Sequence, residues 1–396
     1  MSEASAWARA WHGDVPAVRL AAFRTFLALY VLTLYRGLLT RDLRALARWE
    51  FHSPFVDGLP IPPAWMHPGI EGLIVLAALG LFFGVAARAA AFGLAAIGFW
   101  IVLLDQDFFK HNLWLCINLL FLLGFAPGRI RLWDLFTGRA RAVRAAAWPE
   151  RLVRMQIAIA FGFATVHKIV GRDWGLEGAR MAQLVNAKSH LIALAPLDSA
   201  NDFALSAAPG AISAFVIVLE AAIFVYLLRP KPWWLAATLV AGFAAYIEVL
   251  LRPLLFSWMV GTSILLIVPV GGATCRIVTA SDCARCTRRR RWTSALDWFG
   301  RVTFEPGTDC QPERCSGWVV HDGAETLRGL RAMARVAFTS VVPVFGFVIL
   351  AGAAGLRWRA SHVSGLDLLV LAMAGVAALA AVEIWGRLRA RRAKPA

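Results

Sequence analysis

The residues with the clearest capacity for chemistry lie inside apolar stretches, where a charged side chain is costly. Lys168 follows His167 at the end of the apolar run 157–166, and Glu220 lies near the middle of another apolar run. An ionisable side chain at membrane depth is a candidate functional residue, because it needs a polar cavity or a partner. Two structural roles stay open: a lysine that extends to the headgroups from a helix end, and a neutral, hydrogen-bonded acid.

The residues that precede Lys168 indicate what its helix face could accept. On a helix, Lys168 shares a face with Ala164 and Ala160, and Gln156 lies one further turn back. Small residues on a helix face allow a neighbouring helix or a flat ligand to approach the backbone closely. The pattern therefore favours a close contact beside the lysine.

Composition places these residues in a polytopic α-helical membrane protein. The 396 residues are 59% hydrophobic, and apolar runs of membrane-spanning length recur. We find no cleavable secretory signal at the start, so the first run should remain as an anchor. The formal charge of +16 comes mainly from arginines in short loops between apolar runs, which orient a membrane protein and argue against nucleic-acid binding.

The hydropathy pattern predicts eight spans in the main region and one or two more near the end of the chain. The boundaries are roughly 18–39, 69–86, 90–104, 113–126, 151–168, 209–228, 233–251 and 254–270, followed by 338–356 and 366–385. The loop before the fifth span is the most basic in this region and should face the cytoplasm. The amino terminus and the basic carboxyl-terminal tail should then also be cytoplasmic.

This orientation predicts that chemistry-bearing residues meet near the outer membrane face. Asp105 closes the third span there, His111 opens the fourth, and Lys168 ends the fifth. The outer segment that follows contains Trp174, and Glu248 lies near the outer end of the seventh span. We therefore expect a pocket at this face.

Arg24 is the charged residue of the first span. It lies one turn beyond Arg19, close to the predicted start of the helix. It could extend to the headgroups from the helix end, or pair with an acid inside the bundle. The sequence favours the first role.

Six phrases occur in an order that resembles a known family. They are FRTFLALYV, the proline-rich loop ending in PAWM, LGLFFGVAARAA, LLDQDFFKHNLWL, RMQIAIAFGFATVHKIVGRDW and LLFSWMVGTS. Together they resemble the membrane region of vitamin K-dependent γ-glutamyl carboxylase and its bacterial relatives, the HTTM-domain proteins, over roughly residues 15–270. The resemblance implies an integral protein of the bacterial inner membrane.

The resemblance also implies a chemistry for the site. In the carboxylase a lysine acts as base toward a reduced quinone, oxygenation follows, and carbon dioxide is captured after a proton leaves glutamate. Lys168 matches that lysine, His111 matches the family histidine, and Asp105 matches a family acid. Glu220 lies where an acid is often found, and Glu248 stands roughly where the family has a histidine.

The match has departures that limit what it implies. Lys110 stands where asparagine is usual, and His167 stands where the family has another lysine or a small residue. Nothing resembles the large luminal domain that engages the carboxylase's peptide substrate. Quinone chemistry, with O2 and with CO2 as a further reactant, is therefore better supported than protein carboxylation; the expected partners are lipids, quinone and a peptide or small-molecule substrate.

A second pair of candidates lies after the main membrane region. A short strand is followed by Cys283-x2-Cys286 at the start of a basic helix, the arrangement of thioredoxin-like proteins, in which helix dipoles stabilise the first thiolate. The phrases LDWFGRVTFEP and VVHDG…LRGL resemble the DCC-type thiol-disulfide oxidoreductase-like family. Zinc is the alternative, with Cys310 and Cys315 completing four thiolates, although the flanking strand and helix favour redox chemistry and no metal.

The sequence thus predicts four segments and leaves three functions open. The segments are a cytoplasmic 1–16, a carboxylase-like membrane domain 17–271, a thioredoxin-like module 272–336, and a membrane hairpin with a basic tail 337–396. The leading function is a quinone-dependent redox enzyme with an outward lysine site. The others are thiol-disulfide exchange by the cytoplasmic module, and a non-enzymatic transporter or assembly factor in which Glu220 and Lys168 line a path.

Overall fold

A computed structural model describes ten stretches of the chain, most of them helical. These are residues 11–46, 54–106, 111–171, 209–229, 231–251, 255–271, 275–279, 284–306, 319–322 and 325–340. The chain divides into two compact units. The first contains the residues up to 160 together with 258–268, and the second contains 161–257 and the residues from 269 onwards.

The first unit is a group of helices with a small two-stranded sheet. Its elements are β1 Asp14–Pro16, α1 Val18–Tyr30, a π-helical segment Val31–Tyr35, α2 Arg36–Leu46, a 3-10 turn Ala64–Met66, α3 His67–Phe83, α4 Ala87–Leu104, α5 His111–Leu123, α6 Leu132–Phe136, α7 Arg139–Ala142, β2 Arg144–Ala146 and the first part of α8 Trp148–Val170. The first predicted span is therefore the beginning of a longer helical stretch.

The turn between α3 and α4 requires a glycine. Gly84 has φ +75°, and a Cβ there would lie 2.4 Å from the carbonyl oxygen of Ile130. The turn falls at Gly84–Ala86, and α4 begins at Ala87, three residues before the predicted start of the third span.

The sheet of the first unit joins the start of the chain to the basic loop. β1 pairs antiparallel with β2, and Asp14 lies opposite Ala146. The backbone hydrogen bonds Ala17 N to Val143 O and Ala147 N to Gly13 O extend this contact. The amino-terminal segment and the loop before α8 are therefore adjacent, and the cytoplasmic location predicted for both stays a prediction.

The second unit contains a helical part and an α/β part. Its elements are the last ten residues of α8, then α9 Pro209–Leu228, α10 Trp233–Leu251, the start of α11 Leu255–Thr262, β3 Cys275–Thr279, α12 Ala284–Leu296, β4 Val302–Pro306, β5 Val319–Asp322, β6 Glu325–Arg328 and α13 Gly329–Ser340. The bounds of α9 and α10 match the predicted sixth and seventh spans.

The eighth predicted span is shorter than the hydropathy pattern suggests. α11 ends at Thr262, and a 3-10 turn covers Ser263–Leu266. The Thr262 hydroxyl donates to the Met259 carbonyl at 2.7 Å, and the Ser263 hydroxyl donates to the Val260 carbonyl at 2.6 Å. Such bonds to the carbonyl three residues back accompany the tighter 3-10 winding.

The α/β part is a four-stranded mixed sheet with the order β4-β3-β5-β6. β3 and β4 are parallel, whereas β5 is antiparallel to both β3 and β6. Its buried core contains residues of both strands and helix, namely Cys275, Ile277, Val302, Val320, Ala332 and Val336. The strands at VTFEP and VVHD and the following helix occur where the sequence predicts them.

Four helices in the described part of the chain are long and apolar enough to cross a membrane. They are Ala64–Phe83, Ala87–Leu104, Trp148–Val170 and Gly210–Leu228, and two shorter apolar helices are Leu113–Leu123 and Trp233–Ala244. Both predicted carboxyl-terminal spans lie almost wholly outside the described residues. The total of nine or ten spans stays a prediction.

Candidate functional site

The central feature of the site is an ion pair between two membrane helices. Lys168 Nζ of α8 lies 2.6 Å from both carboxylate oxygens of Glu220 on α9. The side chains are only 12% and 5% exposed. Because each charge is shielded from solvent by protein, each depends on the other for compensation.

The two partners lie at different positions along their helices. Lys168 is the third-last residue of α8, whereas Glu220 is the twelfth of the 20 residues of α9. At about 1.5 Å per residue, Glu220 is roughly 17 Å from the start of α9. The ammonium group is therefore held at the middle of a membrane-length helix.

The helices around the pair carry polar atoms inside and apolar side chains outside. The buried stripe of α9 contains Glu220 among Ser213, Val216, Ile223 and Leu227. Its exposed side chains include Phe215, Val218 and Val225, and those of α8 include Phe163 and Ile169. This distribution fits helices surrounded by lipid, with the ionised groups facing the protein interior.

Aromatic rings pack around α8 about two turns before Lys168. Phe161 lies on the same helix face as Lys168, and its ring forms an edge contact with Phe243 of α10 at 5.1 Å. A Cβ at Gly162 would lie 3.1 Å from the ring of Phe224, so a glycine allows α8 to approach α9 closely. This part of α8 is therefore packed against apolar and aromatic side chains of α9 and α10.

This arrangement can exchange a proton in an apolar setting. An ammonium and a carboxylate 2.6 Å apart share a proton along a short hydrogen bond. When that proton moves to the carboxylate, the neutral amine can accept a proton from a bound hydroxyl. The same contact can also serve to hold α8 against α9.

The structure brings Lys168 and Glu220 together but does not test the wider predicted cluster. Asp105 is 1% exposed and follows the last residue of α4, and it belongs to the first unit. The backbone of His111 begins α5, but its side chain lies outside the described residues. Convergence of these residues with Lys168 stays a prediction.

The structure says less about three other residues that were predicted to line the pocket. His167 is exposed on the outer side of α8. Glu248 lies within α10, although its side chain is outside the described residues, and Trp174 lies wholly outside them. Their roles in a pocket stay predictions.

Arg24 does not extend to the membrane surface, which the sequence favoured. It is 4% exposed, and its Nε and Nη2 atoms form no hydrogen bond. Nη2 would lie 2.7 Å from a Cβ at Gly84, beside the backbone of Ile130 and Arg131. The prediction was wrong because the α3–α4 turn and the loop before α6 cover the guanidinium, which a hydropathy pattern does not show.

Of the predicted pair Cys283 and Cys286, only Cys286 lies among the described residues. Cys286 lies in the first turn of α12 and is buried, whereas Cys283, Cys310 and Cys315 lie outside the described residues. No group of three His, Cys, Asp or Glu side chains that could hold a metal occurs among the residues with described positions. The zinc alternative is therefore untested.

The sequence analysis identified Lys168 and Glu220 but did not pair them. It also missed the contacts of Arg19. Arg19 donates from Nη1 to Glu150 at 3.0 Å and from Nε to the Val268 carbonyl at 2.8 Å. Both of its contacts are distant in sequence. Because Lys168 lies near the end of α8 and Glu220 near the middle of α9, no local sequence pattern indicates their pairing, and none indicates the Val268 contact.

Comparison with known families and proteins gives one match. The profile of the HTTM domain matches residues 14–270, which is more than half of the chain and includes Lys168 and Glu220. Neither a curated protein nor a solved structure matches the chain.

Proposed function

Since the chain belongs to the HTTM-domain family, we propose that it is a quinone-dependent redox enzyme of the vitamin K-dependent carboxylase-like group. The site is the Lys168–Glu220 pair within the membrane. The supporting observation is that the lysine matched to the family base is buried and fixed by a carboxylate at 2.6 Å. We place the enzyme in a bacterial inner membrane.

In this mechanism Lys168 is the base. Glu220 holds the lysine in place and accepts its proton, which leaves the amine neutral. The carboxylate positions the amine on the inner face of α8 and accepts the proton that Lys168 releases. The amine can then take a proton from a bound hydroxyl, and the pair regains its charges by passing the first proton to water. Lys168 touches the reacting group, whereas Glu220 acts through the lysine.

The residues around the pair fit a reduced quinone. Such a ring offers hydroxyl protons and two electrons, for which O2 would be the acceptor. Phe161, Phe243 and Phe224 supply apolar and aromatic surface on the same helices, about two turns from the ion pair along α8. This region therefore combines apolar and aromatic side chains with one group that can exchange a proton.

The first experiment measures bound quinone. The protein is purified in mild detergent, its lipids are extracted, and quinone is quantified by mass spectrometry for wild type, Lys168→Ala and Lys231→Ala. Lys231 is an exposed lysine in the α9–α10 turn and serves as the matched control. We expect stoichiometric quinone in wild type and Lys231→Ala, and a loss in Lys168→Ala.

Two outcomes of the quinone measurement would contradict the proposal. If no preparation contains quinone, and none retains a quinone that is added back, the quinone-enzyme proposal is wrong. If quinone binds equally in all three proteins, the ligand lies elsewhere and Lys168 does not form its site.

A second candidate function is thiol-disulfide exchange by the α/β part. The sheet order β4-β3-β5-β6, with β5 antiparallel to its neighbours, supports a thioredoxin-like fold for this region. Cys286 in the first turn of α12, directly after the β3 segment, is where a redox cysteine lies in such a fold. Because Cys283 precedes the helix by one residue, the pair would sit at the helix amino terminus.

Alkylation distinguishes this candidate from zinc binding. Mass spectrometry before and after mild reduction should show two additional alkylated thiols, and Cys283→Ser should remove both. Stoichiometric zinc that is lost from both Cys283→Ser and Cys310→Ser would instead support the four-thiolate site.

A further inference from the structure

The exposed face of α12 combines arginines with a tryptophan. Arg288, Arg291 and Trp292 follow one another at helical spacing and are all exposed, and Trp292 is 66% exposed. The opposite face, which includes Cys286 and Thr293, is buried against the sheet. The helix sequence contains no acidic residue, so this face carries positive charge that its own helix does not balance.

The segment between α12 and β4 contacts the start of the apolar helix α10. The guanidinium of Arg301 lies 4.5 Å from the centre of the Trp233 ring, and Trp233 is the first residue of α10. Arg301 is itself buried, and its Nη1 donates to the Thr339 carbonyl at 3.4 Å. The contact therefore links the body of the α/β part to the boundary of the bilayer.

The turn between α12 and β4 is held by hydrogen bonds from its backbone to Asp297. The carboxylate of Asp297 accepts hydrogen bonds from the backbone N–H of Arg301 at 3.0 Å and of Val302 at 2.9 Å. Trp292 lies five residues before Asp297, which is about 7 Å along a helix. The exposed indole is thus about 7 Å of helix from the segment that contacts the start of α10.

From this geometry we propose that the exposed face of α12 binds anionic phospholipid headgroups of the leaflet in which α10 begins. Arginines attract a negatively charged leaflet within a Debye length of its surface, and tryptophan prefers the headgroup level, where its ring and its N–H are both accommodated. A face that is merely solvated explains the arginines but not the indole beside them. The proposal is independent of the quinone and of the cysteines.

Tryptic cleavage of the full-length protein in nanodiscs tests the proposal. One set of nanodiscs contains phosphatidylcholine alone, and the other contains about 30% phosphatidylglycerol. Cleavage after Arg289 and Arg290 is followed by mass spectrometry in wild type, Arg288→Gln/Arg291→Gln, Trp292→Ala and Arg276→Gln. Arg276 is an exposed arginine on β3 that pairs with Glu305, and it is the matched control for a change of charge.

We expect cleavage to be about tenfold slower in the anionic nanodiscs for wild type and Arg276→Gln. The Arg288→Gln/Arg291→Gln variant should be cleaved equally fast in both lipids, and Trp292→Ala should retain only part of the difference. Equal rates for wild type in the two lipids would overturn the proposal. Protection that persists in the double variant would also overturn it, because the lipid would then act elsewhere.

Unfolding of the variants is controlled within the same experiment. A misfolded α/β part would be cleaved rapidly in phosphatidylcholine as well, so each variant must match the wild-type rate in that lipid. A double variant that fails this criterion is replaced by the single variants Arg288→Gln and Arg291→Gln, each of which should lose part of the protection, whereas Arg291→Lys keeps the charge and should keep the protection.

Discussion

Two ion pairs in this molecule look alike and have different chemical capacities. In the first unit Arg19 binds Glu150 and the Val268 carbonyl, and in the second unit Lys168 binds both oxygens of Glu220. The planar guanidinium of Arg19 makes directed bonds to two separate segments. Lys168 carries a compact amine, the type of side chain that enzymes use as a general base. The first pair therefore joins segments of the first unit, and the second is the pair for which we propose a chemical role.

The largest expected difference between the pairs concerns turnover. Lys168→Arg keeps the positive charge but cannot act as a base, so quinol-dependent oxygen consumption should fall at least about 100-fold. Arg19→Lys should leave oxygen consumption near wild type, because it removes only one directed contact. Bound quinone is measured in both variants to separate chemistry from binding. Full activity in Lys168→Arg would show that the lysine is not the base.

The second difference concerns stability. Glu220→Ala removes the carboxylate that lies 2.6 Å from a buried ammonium, and the free energy of unfolding should fall by about 3–5 kcal/mol. Glu150→Ala should cost about 1 kcal/mol, because Arg19 is 21% exposed and retains the Val268 carbonyl. Equilibrium unfolding in mixed micelles measures both values.

A double variant checks the cause of that loss. Lys168→Met/Glu220→Leu removes both charges and should recover stability to within about 1 kcal/mol of wild type, with no activity. If the double variant is as unstable as Glu220→Ala, the cost arises from packing rather than from the unpaired charge.

The third and smallest difference concerns close packing in the two units. A Cβ at Gly98 of α4 would lie 1.8 Å from the hydroxyl of the buried Tyr35, so Gly98→Ala should cost about 1–3 kcal/mol. At Gly162 the Phe224 ring need move only slightly, and Gly162→Ala should cost less than about 1 kcal/mol. Gly93→Ala on α4 meets nothing within 4 Å and should be neutral or slightly stabilising. Thermal unfolding in detergent ranks the three variants, and an unstable Gly93→Ala would contradict the packing argument.

The helix bounds were largely accessible from the sequence, whereas the partners were not. α9 and α10 are delimited by prolines and by a short basic turn, and hydropathy finds such limits well. The pairing of Lys168 with Glu220 depends on how far α8 and α9 slide past each other. No local pattern sets that register across the intervening segment 172–208.

Two errors show what hydropathy leaves out. Arg24 looked like a residue near a helix end, but Gly84 and Ile130 approach it from elsewhere in the chain and bury it. α11 looked like a full span, but the hydroxyls of Thr262 and Ser263 bond to nearby carbonyls where the winding tightens. In both cases the deciding contacts are specific hydrogen bonds or tertiary packing, to which an average of apolar residues is insensitive.

The β1–β2 sheet has a consequence for how the chain is made. β1 precedes the first helix, and the contacts that secure this region, including Arg19 with Glu150, join residues 131 positions apart. At ribosomal speeds of about 5–20 residues per second, Arg19 is synthesised roughly 7–26 seconds before Glu150. During that interval Arg19 cannot form its ion pair with Glu150. The amino-terminal segment is therefore translated first, but its contacts with residues 144–150 are among the last in the first unit to form.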